Sequence, residues 1–248
     1  MSHLDGSASD DLDDDLAAGR ADVTTLFVAL SASDPDGRDE EYLAWHSLDH
    51  RPELHRLAVV RSSHRLVSTP ACRAARAASG ERYDAVDHVM AYLLAERAGV
   101  EAVGAVAAAL AAAGRRSLRL PSVELGVYDL EGTAAARRAE VDAGALPWRP
   151  ARGAYLLVER GASHAAALAE VPGVAGVWWY AGTPDRPSWA ADNAGMQVTY
   201  CYLDGDPVET AERLRPVVEA RWSGGGVAPL LAAPFHTLAP YDWGRYLP

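Results

Sequence analysis

Hydrophobic and polar positions in the first half of the chain alternate with two periods, one typical of strands and one typical of helices. The run TTLFVALSA from Thr24 predicts a strand, and residues 39–57 predict a helix interrupted near Pro52, because proline disfavours helical geometry in the residue before it. The stretches 58–68 and 83–95 predict two further strands, 100–114 an alanine-rich helix, and 122–130 a last strand. The predicted order is therefore β-α-β-β-α-β.

The second half of the chain repeats this order. Strands are predicted at 154–159, 176–181, 196–203 and 230–238, and helices at 163–170 and 207–222. A βαββαβ unit is ferredoxin-like and leaves one face of its sheet without helices. Two such faces can be buried on each other, which closes a barrel-like cavity between the sheets. The sequence thus predicts an α+β fold of two fused ferredoxin-like βαββαβ repeats in a dimeric α/β-barrel type of arrangement.

This division gives four segments. Residues 1–22 are rich in aspartate among Ser, Gly and Ala, and they predict a disordered acidic tail. Residues 23–131 form the first repeat, and residues 132–152, which contain Pro147 and Pro150, form a linker. Residues 153–248 form the second repeat.

Charge and cysteine content exclude several classes of function. The chain has 23 basic and 34 acidic residues, so its net charge of -11 disfavours nucleic acid and anionic membranes as partners. Cys72 and Cys201 have no nearby cysteine, which indicates a reducing compartment. The amino terminus is acidic where a signal peptide is basic and then apolar, so a cytoplasmic location is expected. The sequence leaves open whether the protein forms a homodimer, because barrels of this type also form between subunits.

The predicted helix around Pro52 carries a cluster of titratable side chains. His46 and His50 are four residues apart and share one helix face, and Asp49 and Glu53 are close enough to orient an imidazole. Such a cluster suits acid–base chemistry. The alternative is a solvated helix face on which Asp49 or His50 caps the helix that restarts at Pro52.

The strand at 83–95 supplies further candidates. His88, Met90 and Tyr92 share one of its faces, and small apolar residues share the other. We expect the small face to meet the helices, which leaves the three larger side chains pointing into the cavity between the sheets. Alternatively, His88 is a neutral residue of the core. On the preceding strand, His64 lies among polar residues that leave its face ambiguous.

Bulky aromatic residues of the second half can line the same cavity. Trp178 and Tyr200 lie on predicted strands and indicate an apolar or aromatic ligand, although such residues serve equally well as core. No phosphate-loop, nucleophile-elbow or dinucleotide motif occurs in the sequence. His46 and His50 have metal-ligand spacing, but no third ligand is evident, and we predict no metal.

The segment YLAWHSLDHRPELHRL, residues 42–57, contains the pattern W-H-x-x-D-H-x-P-E. This pattern resembles the helix motif of EthD-like and related dimeric α/β-barrel proteins, in which a helix carries an aromatic residue and then H-x-P. The resemblance implies the fold described above and places Trp45 and His50 in the site. It does not define one activity, because the superfamily includes cofactor-free monooxygenases, polyketide cyclases, isomerases, lactone-forming enzymes and haem peroxidases.

Together these features predict a cofactor-independent enzyme of the cyclase, isomerase or monooxygenase type, acting on a hydrophobic, aromatic or polyketide-like molecule. His50 or His88 would be the general base, the other histidine or Tyr92 would donate to a developing enolate oxygen, and Asp49 or Glu53 would orient an imidazole. His46 is a further catalytic candidate. Substrate contacts are expected from Trp45, Glu53, Met90, His64, Trp178 and Tyr200. Two alternatives stay open: a haem-binding or haem-dependent oxidative protein, and a barrel that binds a small molecule without catalysis.

Overall fold

The computed structural model describes residues 23–115, 118–161 and 164–247, with Glu81 described by its backbone alone. The predicted acidic tail at 1–22 lies outside the described residues. The strands in these ranges are β1 (Thr25–Ser31), β2 (Val60–Val67), β3 (Ala78–Ser79), β4 (His88–Leu94), β5 (Ser122–Ala135), β6 (Gly153–Arg160), β7 (Val174–Gly182), β8 (Met196–Leu203) and β9 (Ala228–Thr237). The α-helices are α1 (Asp39–Trp45), α2 (Arg51–Leu54), α3 (Pro70–Ala74), α4 (Gly99–Ala112) and α5 (Pro207–Ser223). None of the helices in the described ranges combines the length and the apolar composition needed to span a bilayer.

The strands form two units of the same topology. The first unit has the order β2-β4-β1-β5 and the second has the order β7-β8-β6-β9, with antiparallel neighbours throughout. In both units, the first and third strands in sequence lie between the second and the fourth, as in a ferredoxin-like sheet. The predicted α+β fold of two fused ferredoxin-like units is therefore confirmed.

The two sheets join edge to edge into a closed barrel of eight strands. At one junction β5 pairs with β7 over seven residues, from Tyr128 with Gly182 to Ala135 with Gly176. At the other junction β2 pairs with β9 at only two positions, Leu66 with Thr237 and Val67 with His236. The short β3 adds two pairs to the edge of β9. The barrel is thus closed by a long junction between β5 and β7 and by a short junction between β2 and β9.

Strand β5 is longer than predicted because a bulge replaces the expected turn. The sequence prediction ended this strand at residue 130, but the pairing register shifts between Leu130 and Gly132 and the strand continues to Ala135. Gly132 permits this path, since a Cβ atom there would lie 2.2 Å from the ring of Trp179. The added residues supply more than half of the β5–β7 junction.

The inside of the barrel is filled by side chains from both units. Val89 and Ala91 of β4 pack in one buried cluster with Trp178 of β7 and Tyr200 of β8. The opposite face of β4 lies under the helices, where Tyr92 packs with residues of α4. The prediction that the small face of this strand meets the helices is therefore wrong. Small residues of the first unit face inward because the bulky aromatic residues of the second unit occupy the space there.

Two other predicted elements have a different secondary structure in the protein. Residues 83–85, predicted as the start of a strand, belong to a 3-10 turn over Glu81–Ala85 before β4. The predicted helix at 163–170 is a 3-10 turn over Ala166–Glu170 among the described residues. A turn of this length cannot cover the sheet as a long helix does, so α5 provides most of the helical cover of the second unit.

Candidate functional site

The main candidate site is a cavity of about 940 Å³ between the helices and the sheet of the first unit, which we call the helix-side cavity. Phe27, Met90 and Tyr92 form its floor on β1 and β4. Small residues of α4 form one wall: Gly104, Ala105, Ala107, Ala108 and Ala111. Because these side chains are too short to reach the sheet, the alanine-rich sequence of α4 leaves this space open.

A π-helical turn over His46–His50 carries the polar wall of the cavity. Pro52 explains the turn, since its ring would collide with the carbonyl of Leu48 in a regular α-helix. Arg51 instead donates its backbone N–H to the carbonyl of His46, five residues earlier. The predicted interruption therefore exists, but it precedes Pro52, and the helical path continues through α2.

The π-helical turn places three aromatic rings side by side in the cavity wall. The ring centroids of Trp45 and His50 are 5.2 Å apart, as are those of His46 and His50. In a regular α-helix, residues 45 and 50 would point about 140° apart, because each residue turns by about 100°. The contact between Trp45 and His50 is thus a product of the wider turn.

Both histidines of this wall favour the neutral form. Burial lowers the pKa of His46 well below its ordinary value, and the nearby Arg65 lowers it further. Burial also lowers the pKa of His50, although Asp49 opposes this shift. The Nδ1 atoms of both rings are buried without a hydrogen-bond partner. At neutral pH the cavity therefore presents two uncharged imidazoles that can accept a proton.

Tyr92 adds a phenol to the floor of the cavity. Its hydroxyl is buried and has no hydrogen-bond partner, and burial raises its pKa. The group therefore stays protonated at neutral pH and can donate a hydrogen bond. Met90 lies two residues earlier on the same face and contributes apolar lining. Both side chains were predicted to point into the cavity between the sheets, but they lie on the helix side because the opposite face of β4 points into the barrel.

Arg65 is a cavity residue that the sequence analysis missed. It is 3% exposed, and its Nε and Nη2 atoms have no hydrogen-bond partner. Its guanidinium lies 4.9 Å from the ring centre of Tyr42, a contact of the cation–π type. No carboxylate of the described residues forms an ion pair with it. The cavity thus contains a buried positive charge that lacks a protein anion.

His88 lies behind the cavity wall rather than in it. The side chain is fully buried, and its Nε2 atom is 2.7 Å from Oδ1 of Asp39 at the start of α1. Burial alone would raise the pKa of Asp39, but the hydrogen bond with His88 and the backbone N–H of Asp34 lower it. Burial lowers the pKa of His88 despite the carboxylate. The prediction that His88 points into a ligand cavity is wrong, because Asp39 covers its ring.

Asp49 and Glu53 face away from the cavity and bind Arg115, which follows α4. Arg115 Nη2 lies 3.1 Å from Asp49, and Arg115 Nη1 lies 2.9 Å from Glu53. The carbonyl of Arg115 accepts the indole N–H of Trp45 at 2.6 Å. The two carboxylates were predicted to orient an imidazole, but they tie the helical wall to the end of α4 instead. This connection also holds the ring of Trp45 in place.

Three other predicted residues lie on the barrel side of the sheet. Trp178 and Tyr200 belong to the interior cluster, and the ring of His64 lies 5.6 Å from that of Tyr200. Burial lowers the pKa of His64 to about 4. The structure therefore does not bring these three residues into the helix-side cavity, because the sheet stands between them and it.

The described part of the chain contains no group of three His, Cys, Asp or Glu side chains that is arranged to hold a metal ion. The residues that would hold a larger cofactor are His46 and His50, whose imidazoles bind iron, and Arg65, whose guanidinium pairs with carboxylates.

No protein-family model and no curated protein matches the chain. Solved structures similar to it include an anthrone oxidase-like protein with 12% identity, covering 88% of this chain and 92% of that one, with a TM-score of 0.45. A candidate monooxygenase from Lactobacillus acidophilus NCFM has 8% identity, covers 86% and 93% of the two chains, and has a TM-score of 0.42. A dye-decolorizing protein from V. cholerae has 11% identity, 89% and 95% coverage and a TM-score of 0.45. The fold assignment rests on the strand order of this chain.

Proposed function

We propose that the protein is a cofactor-independent enzyme that uses histidine acid–base chemistry on a hydrophobic, aromatic or polyketide-like molecule in the helix-side cavity. One observation carries this proposal: two neutral imidazoles, a protonated phenol and an unpaired guanidinium meet in a largely apolar cavity of about 940 Å³. Cyclase, isomerase and monooxygenase reactions of such molecules can each begin with loss of a proton from a carbon next to a carbonyl.

His50 is the proposed general base. It removes the proton, the electron pair of the C–H bond forms a C=C bond, and the π electrons of the carbonyl move to its oxygen, which gives an enolate. Arg65 and the hydroxyl of Tyr92 are the groups proposed to stabilise this oxygen, because a buried cation and a buried donor act strongly in a site that excludes water. His46, with its lowered pKa, is the second base available to the same substrate.

Trp45 is the proposed platform for the aromatic part of the substrate. Its indole N–H is bound by the carbonyl of Arg115, so the ring is held in a defined position beside His50. An aromatic ring that is already ordered loses little conformational entropy when it stacks on a ligand. This role deepens the resemblance to EthD-like proteins, in which an aromatic residue precedes H-x-P.

Hydrogen–deuterium exchange of 2-tetralone in D₂O, followed by proton NMR, tests the first step without knowledge of the natural product. This aromatic ketone has acidic C–H bonds next to its carbonyl. We expect the protein to accelerate exchange over buffer, and His50→Gln to lower the rate by at least about a hundredfold. The rate should fall only at pH values below the ordinary histidine pKa of 6.5, because burial lowers the pKa of His50 and the protonated ring cannot act as a base.

His164→Gln is the matched control, since His164 is exposed and lies in the second unit. Its exchange rate should equal that of the unchanged protein. Equal rates for His50→Gln and the control would exclude His50 as the base. Tight binding of tetralone without any accelerated exchange would instead favour the non-catalytic binding protein.

The second candidate is a haem protein, which the size of the cavity and its two imidazoles favour. His46 or His50 would bind the haem iron, and Arg65 would pair with a propionate. Bound haem would supply one-electron or peroxide chemistry. A Soret band that appears after haem addition and is lost in His46→Gln or His50→Gln would support this candidate, and its absence would exclude it.

A further inference from the structure

A second cavity, of about 520 Å³, lies where the barrel closes narrowly. Before Leu66, strand β2 has no strand partner on the side of β9 among the described residues. The connection before β6 fills part of this gap, and Ser62 Oγ donates to the carbonyl of Pro147 at 3.2 Å. The segment after β9 borders the other side, where Leu238 donates its N–H to the carbonyl of Arg65. We call the remaining space the seam cavity.

The seam cavity is positively charged in a chain whose net charge is -11. Three arginines line it, Arg51, Arg65 and Arg149, and none of its described lining residues is acidic. Arg51 binds only the hydroxyl and the carbonyl of Ser63. Arg149 has a single long ion pair, 3.7 Å from Asp204. The positive charge of this cavity is therefore poorly compensated by the protein.

Apolar side chains surround the mouth of the seam cavity. Four large apolar side chains of the described residues are well exposed, and three of them line this cavity: Leu48 (54%), Trp148 (40%) and Tyr241 (80%). Trp243 lines it as well. Exposed aromatic groups that converge on one concave surface are typical of a ligand site, because their burial stabilises the complex.

We propose that the seam cavity is a second binding site, which takes a planar aromatic carboxylate with its ring between Trp148 and Tyr241 and its carboxylate toward Arg51 and Arg149. The aromatic rim matches the apolar part of such a ligand. The basic floor matches its anionic end, since arginine binds a carboxylate through two parallel N–H groups. The volume falls within the usual range for small-molecule sites. This site shares Arg65 with the helix-side cavity, but the ligand contacts proposed here use Arg51 and Arg149, which do not line that cavity.

Isothermal titration calorimetry with 2-naphthoate and 2-naphthylmethanol tests the proposal, because the two probes share a ring system and differ in charge. Near neutral pH, we expect the carboxylate to bind at least about tenfold more tightly than the alcohol. Arg51→Met with Arg149→Met should remove this preference and leave the affinity for the alcohol unchanged. Trp148→Ala should weaken both probes, since it removes part of the rim.

Ala107→Leu distinguishes the two cavities, because residue 107 lines only the helix-side cavity, which the larger side chain would narrow. We expect this variant to bind naphthoate within about twofold of the unchanged protein. Loss of naphthoate binding in Ala107→Leu, or its retention in the double arginine variant, would place the ligand in the other cavity and overturn the proposal. Equal affinity for the two probes would also overturn it. Circular dichroism of each variant checks that it is folded.

Discussion

Arg65 combines nearly complete burial with the absence of a carboxylate partner among the described residues. A buried charge without a counter-ion costs on the order of several kcal/mol of stability. The contact with the ring of Tyr42 offsets about 1–2 kcal/mol of this cost. The protein therefore retains the guanidinium at the expense of stability, which suits a group whose partner is an oxygen of the substrate.

Replacing Arg65 should separate stability from activity. We expect Arg65→Met to leave the free energy of unfolding unchanged or to raise it by about 1 kcal/mol, because methionine fills similar space without a buried charge. The same variant should lower the tetralone exchange rate by at least about tenfold. Urea unfolding and NMR exchange measure the two effects.

Arg97→Met is the control for the previous prediction. Arg97 is partly exposed and pairs with both Asp129 and Asp185. Its loss should lower stability by about 1 kcal/mol or less and leave exchange unchanged. Strong destabilisation by Arg65→Met would mean that Arg65 holds the fold rather than the substrate.

The sequence contains only part of the information on the site. Helical spacing and the H-x-P pattern were sufficient to select Trp45, His46 and His50. Strand alternation put Met90 and Tyr92 on one face but predicted that this face lines the cavity between the sheets, whereas all five residues line the helix-side cavity. Arg65 follows two serines and a histidine in sequence, which is the pattern of a solvated strand position. Its burial depends on how α1 lies over the sheet, and local sequence does not encode that packing.

The π-helical turn is the element that shapes the candidate site. Its five residues make Trp45 and His50 neighbours, which a regular helix of the same sequence would not do. π-helical turns often occur at functional sites, because they aim side chains that an α-helix would separate. Pro52 is the local cause of the turn here.

Pro52→Ala should let the turn relax to an α-helix, because alanine restores the backbone N–H and removes the collision with the Leu48 carbonyl. We expect Trp45 and His50 to move apart and tetralone exchange to fall by about tenfold, with little change in stability. A crystal structure of the variant and the NMR assay check both effects. An α-helical turn with full exchange activity would show that the contact between Trp45 and His50 is dispensable.

The order of the elements could be predicted from the sequence, but the face of each strand that points into the barrel could not. Alternation and helical periodicity were sufficient to predict the order of the main strands in both units, since strands and helices have different periods, but the predicted helix at 163–170 is a 3-10 turn. In β4 every residue from His88 to Leu94 is buried, so neither face is marked by polar residues as the solvent side. Which face points into the barrel depends on the size of the side chains in the other unit, more than 80 positions later in the chain.

Acid sensitivity is a property of the whole molecule, because histidines with lowered pKa values occur both under the helices and on the barrel side of the sheet. His64 in the barrel has a pKa of about 4, below its ordinary value of 6.5. Between these pH values the unfolded chain binds more protons than the folded protein, so stability falls as the pH is lowered. Burial lowers the pKa of His46 and His88 in the same direction.

His64→Phe should reduce this acid sensitivity. From pH 6.5 to 4, His64 accounts for a loss on the order of 3 kcal/mol in the free energy of unfolding, which phenylalanine cannot contribute because it does not titrate. Thermal unfolding at several pH values should show a smaller decrease in the variant. His164→Phe changes an exposed histidine and should retain the full decrease. The same decrease in both variants would contradict the lowered pKa of His64.

The filled interior of the barrel has a consequence for how the two units depend on each other. In a symmetric pair of identical units, each position meets its own copy, so an interface must be self-complementary. Here the small Val89 and Ala91 of one unit share a cluster with Trp178 and Tyr200 of the other. A pair of first units would lack the Trp178 and Tyr200 side chains that pack against Val89 and Ala91. Because the two units are linked in one chain, they need not be identical. The unit that supplies Trp178 and Tyr200 therefore cannot be exchanged for the unit that carries the helix-side cavity.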